Sequence, residues 1–179
     1  MKRTFISTGL SPDISNAVRE FEEKFRTETG FNQRLIPPEK IHLTLKFLGP
    51  TQNEKIPEII SVLSEVRDFF SPFSLEVKGV GAFPNFFRPR VLWIGVHDIT
   101  GELKRLADKI EERMEILGFA RENRPFKPHL TISRIKTGNI SKKEQTFLKE
   151  HCNFNLGPME IKSIIYFESI LKPEGAEYN

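Results

Sequence analysis

The sequence predicts an α+β fold: two pseudo-symmetric lobes, each an antiparallel-rich sheet with helices packed outside, facing a central cleft. Three observations predict it. The tetrapeptide His42-Leu43-Thr44-Leu45 returns almost unchanged as His129-Leu130-Thr131-Ile132. The order strand, helix, motif strand, helix, strand runs twice, and Thr4 to His42 spans the same 38 residues as Val91 to His129. The sequence also lacks the Gly-rich phosphate loop that often follows the first strand of a doubly wound parallel sheet. Residues 1–179 are therefore expected to form a single two-lobed domain, an internal duplication with sequence halves of about 1–85 and 86–179.

Each element has a local cause. Residues 3–8 read as a first strand. Ser11 ahead of Pro12 is a helix start, a capping hydroxyl followed by a first-turn proline. Ile14, Val18, Phe21 and Phe25 then form one apolar stripe that Gly30 closes. Pro37-Pro38 breaks the chain before the first motif strand, 41–48, which Gly49-Pro50 is expected to end. A second helix is expected over 54–69 with Ile56, Ile59, Leu63 and Val66 inward, then an alternating strand over 73–80. Val91 to Val96 is apolar enough for a strand buried on nearly both faces. Residues 102–117 carry Leu103, Leu106, Ile110, Met114 and Leu117 as a third amphipathic helix stopped by Gly118. The second motif strand covers 129–135, Ser141 with Glu144 makes a capping box for a short fourth helix, and 159–169 reads as a sixth strand.

The bulk composition narrows the function classes. A net charge of +3 and a pI near 9.0 lean towards anionic ligands without demanding nucleic acid. The single cysteine, Cys152, rules out an internal disulfide and any cysteine-based zinc cluster. No apolar run approaches the ~18 residues that a membrane span needs. The apolar part of Met1 to Ser7 is too short for a signal peptide. A cytoplasmic monomer without a membrane partner is the expectation.

The repeated tetrapeptide is where the chemistry concentrates. Period-2 alternation turns His42 and Thr44 to one face and Leu43 and Leu45 to the other, and the second copy repeats this with His129 and Thr131. A lone histidine on a strand is more often structural than catalytic, and a strand threonine usually reflects β propensity. Packing, however, has no reason to demand the same polar pair in both halves. Histidine exchanges protons near neutrality. Two of them flanking one phosphorus could activate a nucleophile and protonate a leaving oxygen, worth typically ~10²–10⁴-fold in rate. The threonine hydroxyls, roughly 6.6–6.8 Å along each strand, could donate to non-bridging oxygens. Two histidines without a nearby carboxylate or thiolate make a poor metal site, so no metal and no cofactor are expected. Metal-free chemistry suits an activated substrate, and a strained five-membered cyclic phosphate meets that demand better than a linear diester.

At these residues the sequence resembles the 2H phosphoesterase superfamily, and within it the RNA 2′,3′-cyclic phosphodiesterases, often labelled 2′-5′ RNA ligases. The likeness covers nearly the whole chain. Pro38-Glu39-Lys40-Ile41-His42-Leu43-Thr44-Leu45-Lys46-Phe47-Leu48-Gly49 resembles the first family block. Gly81-Ala82-Phe83-Pro84-Asn85 with Arg88-Pro89-Arg90-Val91-Leu92-Trp93 resembles the middle block, and Pro128-His129-Leu130-Thr131-Ile132-Ser133-Arg134 the second motif. The resemblance implies opening of an RNA-terminal 2′,3′-cyclic phosphate to a 2′-phosphate, with His42 as proton donor and His129 as acceptor. It places Arg134 at the phosphate and Phe47 along the site. Strand parity answers differently: it puts Lys46 and Ser133 on the histidine face and turns Phe47 and Arg134 away, unless a bulge re-aims them. Lys46 is therefore kept as a second phosphate candidate. The resemblance also implies a further strand beyond the stretch Pro173-Glu174-Gly175-Ala176-Glu177-Tyr178. The sequence stops at Asn179, and because that further strand touches neither motif in sequence, its absence is expected to bear on the sheet edge rather than on catalysis.

Other residues are weighed beside these. Phe83, Phe86 and Phe87 next to Arg88 and Arg90 could stack bases and hold phosphates; the plainer alternative is core-capping rings and solvated cations. Phe83 and Arg88 are retained as base-contact candidates. Arg121, Arg124 and Lys127 could steer RNA to the cleft or simply be solvated. His97, His151 and Cys152 read as structural. The sequence thus points to an enzyme acting on RNA ends that bear a 2′,3′-cyclic phosphate. Its rivals are the same chemistry on a small cyclic nucleotide, reversible 2′-5′ ligation, and a nucleotide- or RNA-binding module without turnover.

Overall fold

The computed structural model describes residues 1–136, 138–172 and 175–179, and its elements follow in two runs along the chain. The first runs β1 (Lys2–Gly9), α1 (Pro12–Thr29), β2 (His42–Thr51), α2 (Ile56–Asp68) and β3 (Phe73–Phe83). The second runs β4 (Val91–His97), α3 (Glu102–Ile116), β5 (His129–Arg134), α4 (Lys142–Glu150), β6 (Asn155–Ile161), β7 (Ile165–Lys172) and β8 (Gly175–Tyr178). Pro173 and Glu174 of the family-like C-terminal stretch lie outside the described residues.

Helix boundaries follow local chemistry. Ser11 Oγ accepts the Ile14 N–H at 3.4 Å, and Gly30 closes α1 in the left-handed conformation at φ 76°, its N–H donating to Arg26 O. Ile14, Val18, Phe21 and Phe25 form the buried stripe. The capping box forms at α4, where the Ser141 side chain accepts from Glu144 N–H and the Glu144 carboxylate accepts from Ser141 N–H. The helix expected over 54–69 is split into a 3₁₀ turn at Asn53–Lys55 and α2. Pro57 in the first turn of α2 explains this, since its missing N–H is harmless only there.

All eight strands form one curled antiparallel sheet in the order β6-β3-β4-β5-β2-β1-β7-β8. The two motif strands β2 and β5 lie at its centre, paired among the described residues through Leu43↔Leu130. On either side of this centre, β3 pairs with β4, and β7 pairs with β1. The helices divide similarly, with α2 and α3 packed together and α3 against β2, while α1 packs on α4 and β6. Leu43, Leu45, Leu130 and Ile132 are buried with the helix stripes in one core. The opposite, concave face is left to the histidines.

Two strand expectations are corrected. The strand expected over 159–169 is two strands at opposite ends of the sheet, β6 beside β3 and β7 beside β1. Lys162, Ser163 and Ile164 carry the chain between them, and an alternating pattern cannot reveal a crossover. Gly49-Pro50 does not end β2, which continues to Thr51, where the Thr51 and Thr4 hydroxyls hydrogen-bond at 2.7 Å. Pro50 is tolerated because this end of β2 has left β5 and has β1 as its one registered neighbour. No helix among the described residues is long and apolar enough to cross a membrane.

Candidate active site

The central crossing sets the geometry. With Leu43 opposite Leu130 in an antiparallel pair, His42 falls opposite Thr131 and Thr44 opposite His129. The histidines therefore occupy one diagonal and the threonines the other, each diagonal about 7–8 Å at ordinary sheet spacing. All four side chains are partly exposed on the concave face, while Leu43 and Leu130 between them are fully buried on the other.

Both imidazoles are held in the same way. His42 Nδ1–H donates to Lys40 O at 3.0 Å, and His129 Nδ1–H donates to Lys127 O at 2.7 Å. A carbonyl can only accept, so each Nδ1 carries the proton and each Nε2 is left for chemistry. The proline-bracketed residues before each motif thus fix a tautomer.

Their surroundings differ. His42 sits among rings: Phe5 at 4.7 Å between centroids, Tyr178 edge-on at 4.9 Å and Phe167 at 6.0 Å. This burial pushes its pKa below the ordinary histidine value; the hydrogen bond to Lys40 opposes the shift, and the nearby Arg134 charge adds to it. A cavity of about 510 Å³ opens beside it, with Gly9, Leu10, Lys40, Phe167 and Tyr178 in its lining. His129 meets Phe83 edge-on at 5.1 Å and Trp93 at 6.4 Å. Trp93 can lie there because its neighbour across the ladder is Gly81; a Cβ at Gly81 would stand 2.1 Å from the Trp93 ring.

A matched irregularity decides the residues that follow each motif. Across the β1–β2 ladder Ser7 pairs with Thr44 and Ile6 with Lys46, so Leu45 is an extra residue. Across the β4–β5 ladder Trp93 pairs with Thr131 and Leu92 with Ser133, so Ile132 is extra in the same place. Each bulge reverses the parity beyond it. Lys46 is thereby turned off the cleft, correcting the parity expectation. Its side chain is 2% exposed, with Nζ donating to Glu111 Oε2 at 2.6 Å and to Ala120 O at 2.9 Å. Ser133 is likewise buried, its hydroxyl donating to Arg34 O at 2.7 Å. Phe47, 59% exposed, faces the concave side with its ring 6.0 Å from Phe5. Arg134 is exposed and close enough for its charge to act on His42.

A family model described as the AKAP7 2′5′ RNA ligase-like domain matches residues 5–173. The RNA 2′,3′-cyclic phosphodiesterase of Archaeoglobus fulgidus is 37% identical over 176 residues, covering 98% of this chain and 96% of the relative. The chain belongs to the RNA 2′,3′-cyclic phosphodiesterase family of 2H phosphoesterases. The Aeropyrum pernix family member is 36% identical over 150 residues, 84% of each chain. The crystal structure of TT0787 of Thermus thermophilus has the same fold, with a TM-score of 0.83 at 26% identity over 99% of this chain and 93% of that one.

Other residues singled out in this phosphodiesterase-family chain are gathered unevenly. Phe83 stands beside His129, but Phe87 of the same turn lies under Lys149 Nζ of α4, 5.3 Å from its ring centre. Arg88 is exposed in that turn, its backbone N–H on Asn85 Oδ1, and nothing among the described residues ties its side chain to the histidines. Arg121 pairs with Glu115 and Arg124 with Glu122. His151 stacks on Phe147 at 4.0 Å and bonds the Phe147 carbonyl, whereas His97 and Cys152 are exposed. Sequence reasoning missed Phe5, Phe167, Tyr178 and Trp93 as neighbours of the histidines. Phe5 carried a weak signal, its place in a strand expected from the start. Tyr178 carried none, lying far from either motif along the chain.

Proposed function

We propose that this cleft opens an RNA-terminal 2′,3′-cyclic phosphate to a 2′-phosphate by two-histidine acid–base catalysis without a metal ion. The observation that carries this reading is the matched pair of imidazoles, each with Nδ1–H tied to a carbonyl and Nε2 left for the substrate. Neutral His129 Nε2 accepts a proton from water as the water oxygen bonds to phosphorus. Protonated His42 donates from Nε2 to the 3′ oxygen as the P–O3′ bond breaks, leaving the phosphate on O2′. Solvent then resets both rings. The lowered pKa makes His42 a stronger acid once protonated, and the negative phosphate favours that protonation on binding. Thr44 and Thr131 donate to non-bridging oxygens, and Arg134 offsets charge that grows in the transition state. Phe47 and Phe83 offer faces for the terminal base. Among the described residues no three His, Cys, Asp or Glu side chains gather as metal ligands, and the donor set of imidazoles, hydroxyls and guanidinium suits an anion.

The test is turnover of an oligonucleotide ending in a 2′,3′-cyclic phosphate, with chelator present, in the parent protein and in His42→Ala and His129→Ala. The expected result is a 2′-phosphate product and a loss of at least ~10²-fold in kcat for each variant. Turnover surviving both substitutions, or requiring added metal, overturns the mechanism. Binding without turnover overturns the enzymatic reading in favour of a binding module.

A further inference from the structure

The family-like C-terminal stretch ends against the cleft rather than at a remote edge. Strand β8 pairs with β7 from Ser169↔Tyr178 onward, and Glu168 and Asn179 exchange two backbone hydrogen bonds of 2.9 and 3.0 Å. β7 in turn pairs with β1, including Phe5↔Phe167. This ladder brings Tyr178 onto His42, edge to face at 4.9 Å, and onto Phe5 at 5.3 Å and Phe167 at 5.9 Å. His42 thus has rings from β1, β7 and β8 about it, and His42 and Tyr178 both line the cavity of about 510 Å³.

We propose that Tyr178 is a positioning residue for the reaction: its ring holds the His42 imidazole at the angle that aims Nε2 at the phosphorus. The physical grounds are three. The Lys40 carbonyl fixes one edge of the imidazole but leaves rotation about that hydrogen bond, and a perpendicular ring at van der Waals distance removes it. The contact is apolar, so it sustains the desolvation that lowers the His42 pKa. The phenol itself is partly buried and lies within reach of two cationic side chains, Arg134 from β5 and Arg3 from β1, which oppose the rise that burial imposes on its pKa. The other charged groups nearby are Lys40, Glu39 and Glu177 in the cavity lining. The equivalent surroundings of His129 are built differently, from Phe83 and Trp93 of β3 and β4. The arrangement is therefore specific to the His42 side.

This inference rests on the cyclic-phosphodiesterase reading for its kinetics, but not for its titration. The variants are Tyr178→Ala, which removes the ring, and Tyr178→Phe, which keeps it. Two measurements are made on each: kcat and KM for the cyclic-phosphate oligonucleotide across pH, and the titration of the His42 ring by NMR, which needs no substrate. In Tyr178→Ala the expected changes are a fall of ~10–10²-fold in kcat exceeding any change in KM, and a His42 titration displaced to higher pH with the matching limb of the rate profile. Tyr178→Phe is expected to retain both parental properties. Parental kcat and titration in Tyr178→Ala would overturn the proposal. So would a loss that follows melting alone, with the titration unmoved, or a Tyr178→Phe variant as impaired as Tyr178→Ala. Absence of turnover in the parent protein would instead strike the underlying reading, and the titration would still decide the role of Tyr178.

Discussion

At the scale of single residues, two histidines in nearly the same sequence context have become unequal. Both carry Nδ1–H on a carbonyl two residues upstream, but only His42 is enclosed by three rings and approached by Arg134. A histidine whose folded pKa lies below its unfolded value of about 6.5 binds its proton more weakly when folded. The unfolded chain therefore gains protons first as pH falls through 6.5, and stability drops there. His42→Gln is expected to flatten this acid-side slope, read from denaturant midpoints between pH 7 and 5; an unchanged slope would count against the burial argument. Arg134 belongs to the same scale. Arg134→Ala is expected to lower kcat/KM roughly tenfold to hundredfold, the worth of a hydrogen bond to a charged group, with Arg134→Lys recovering part of it as a point charge. Steady-state kinetics on the cyclic-phosphate oligonucleotide check both.

At the scale of elements, the bulges at Leu45 and Ile132 are what convert a repeated tetrapeptide into a site. Without them Phe47 and Arg134 would turn into the helices, and Lys46 and Ser133 into the cleft. The inward residues tie each motif strand to a loop beyond a helix, Lys46 of β2 to Ala120 O after α3 and Ser133 of β5 to Arg34 O after α1. Lys46 also forms a nearly buried ion pair with Glu111. Lys46→Ala leaves that carboxylate without its partner, an expected cost of about 2–4 kcal/mol. Melting should register that loss, while kcat/KM per folded molecule stays within a few-fold. A large activity loss at unchanged stability would return Lys46 to the phosphate.

At the scale of the whole molecule, one helix residue makes stability fall as pH rises from about 4.5 to about 8. Glu22 of α1 is buried, its Oε1 has no hydrogen-bond partner among the described residues, and burial raises its pKa to about 8 against the opposing charges of Arg26 and Arg19. The folded protein then keeps a proton that the unfolded chain releases from about pH 4.5 upward. The stability this confers is complete at low pH, declines through that window and is gone above about pH 8. Glu22→Gln mimics the protonated form. It is expected to be more stable than the parent by about 1–3 kcal/mol at pH 8.5 and equal to it near pH 4.5, measured by chemical denaturation. Parallel curves for the two proteins would refute this.

The amino-acid pattern alone determined the α+β class, the helix starts at Ser11 and Ser141, the buried stripes and the two faces of each motif strand. These depend on spacings of two to four residues and on side-chain chemistry that neighbours along the chain read directly. It did not determine the split of 159–169 into β6 and β7, the inward turn of Lys46, or the meeting of Phe5, Phe167 and Tyr178 on His42. A bulge conserves the residue order while reversing which face each residue takes, so parity counted from His42 fails one residue too soon. The pairing of β7 with β1 joins strands far apart along the chain, so the Tyr178 ring carried by β8 reaches the histidine only when the sheet has formed.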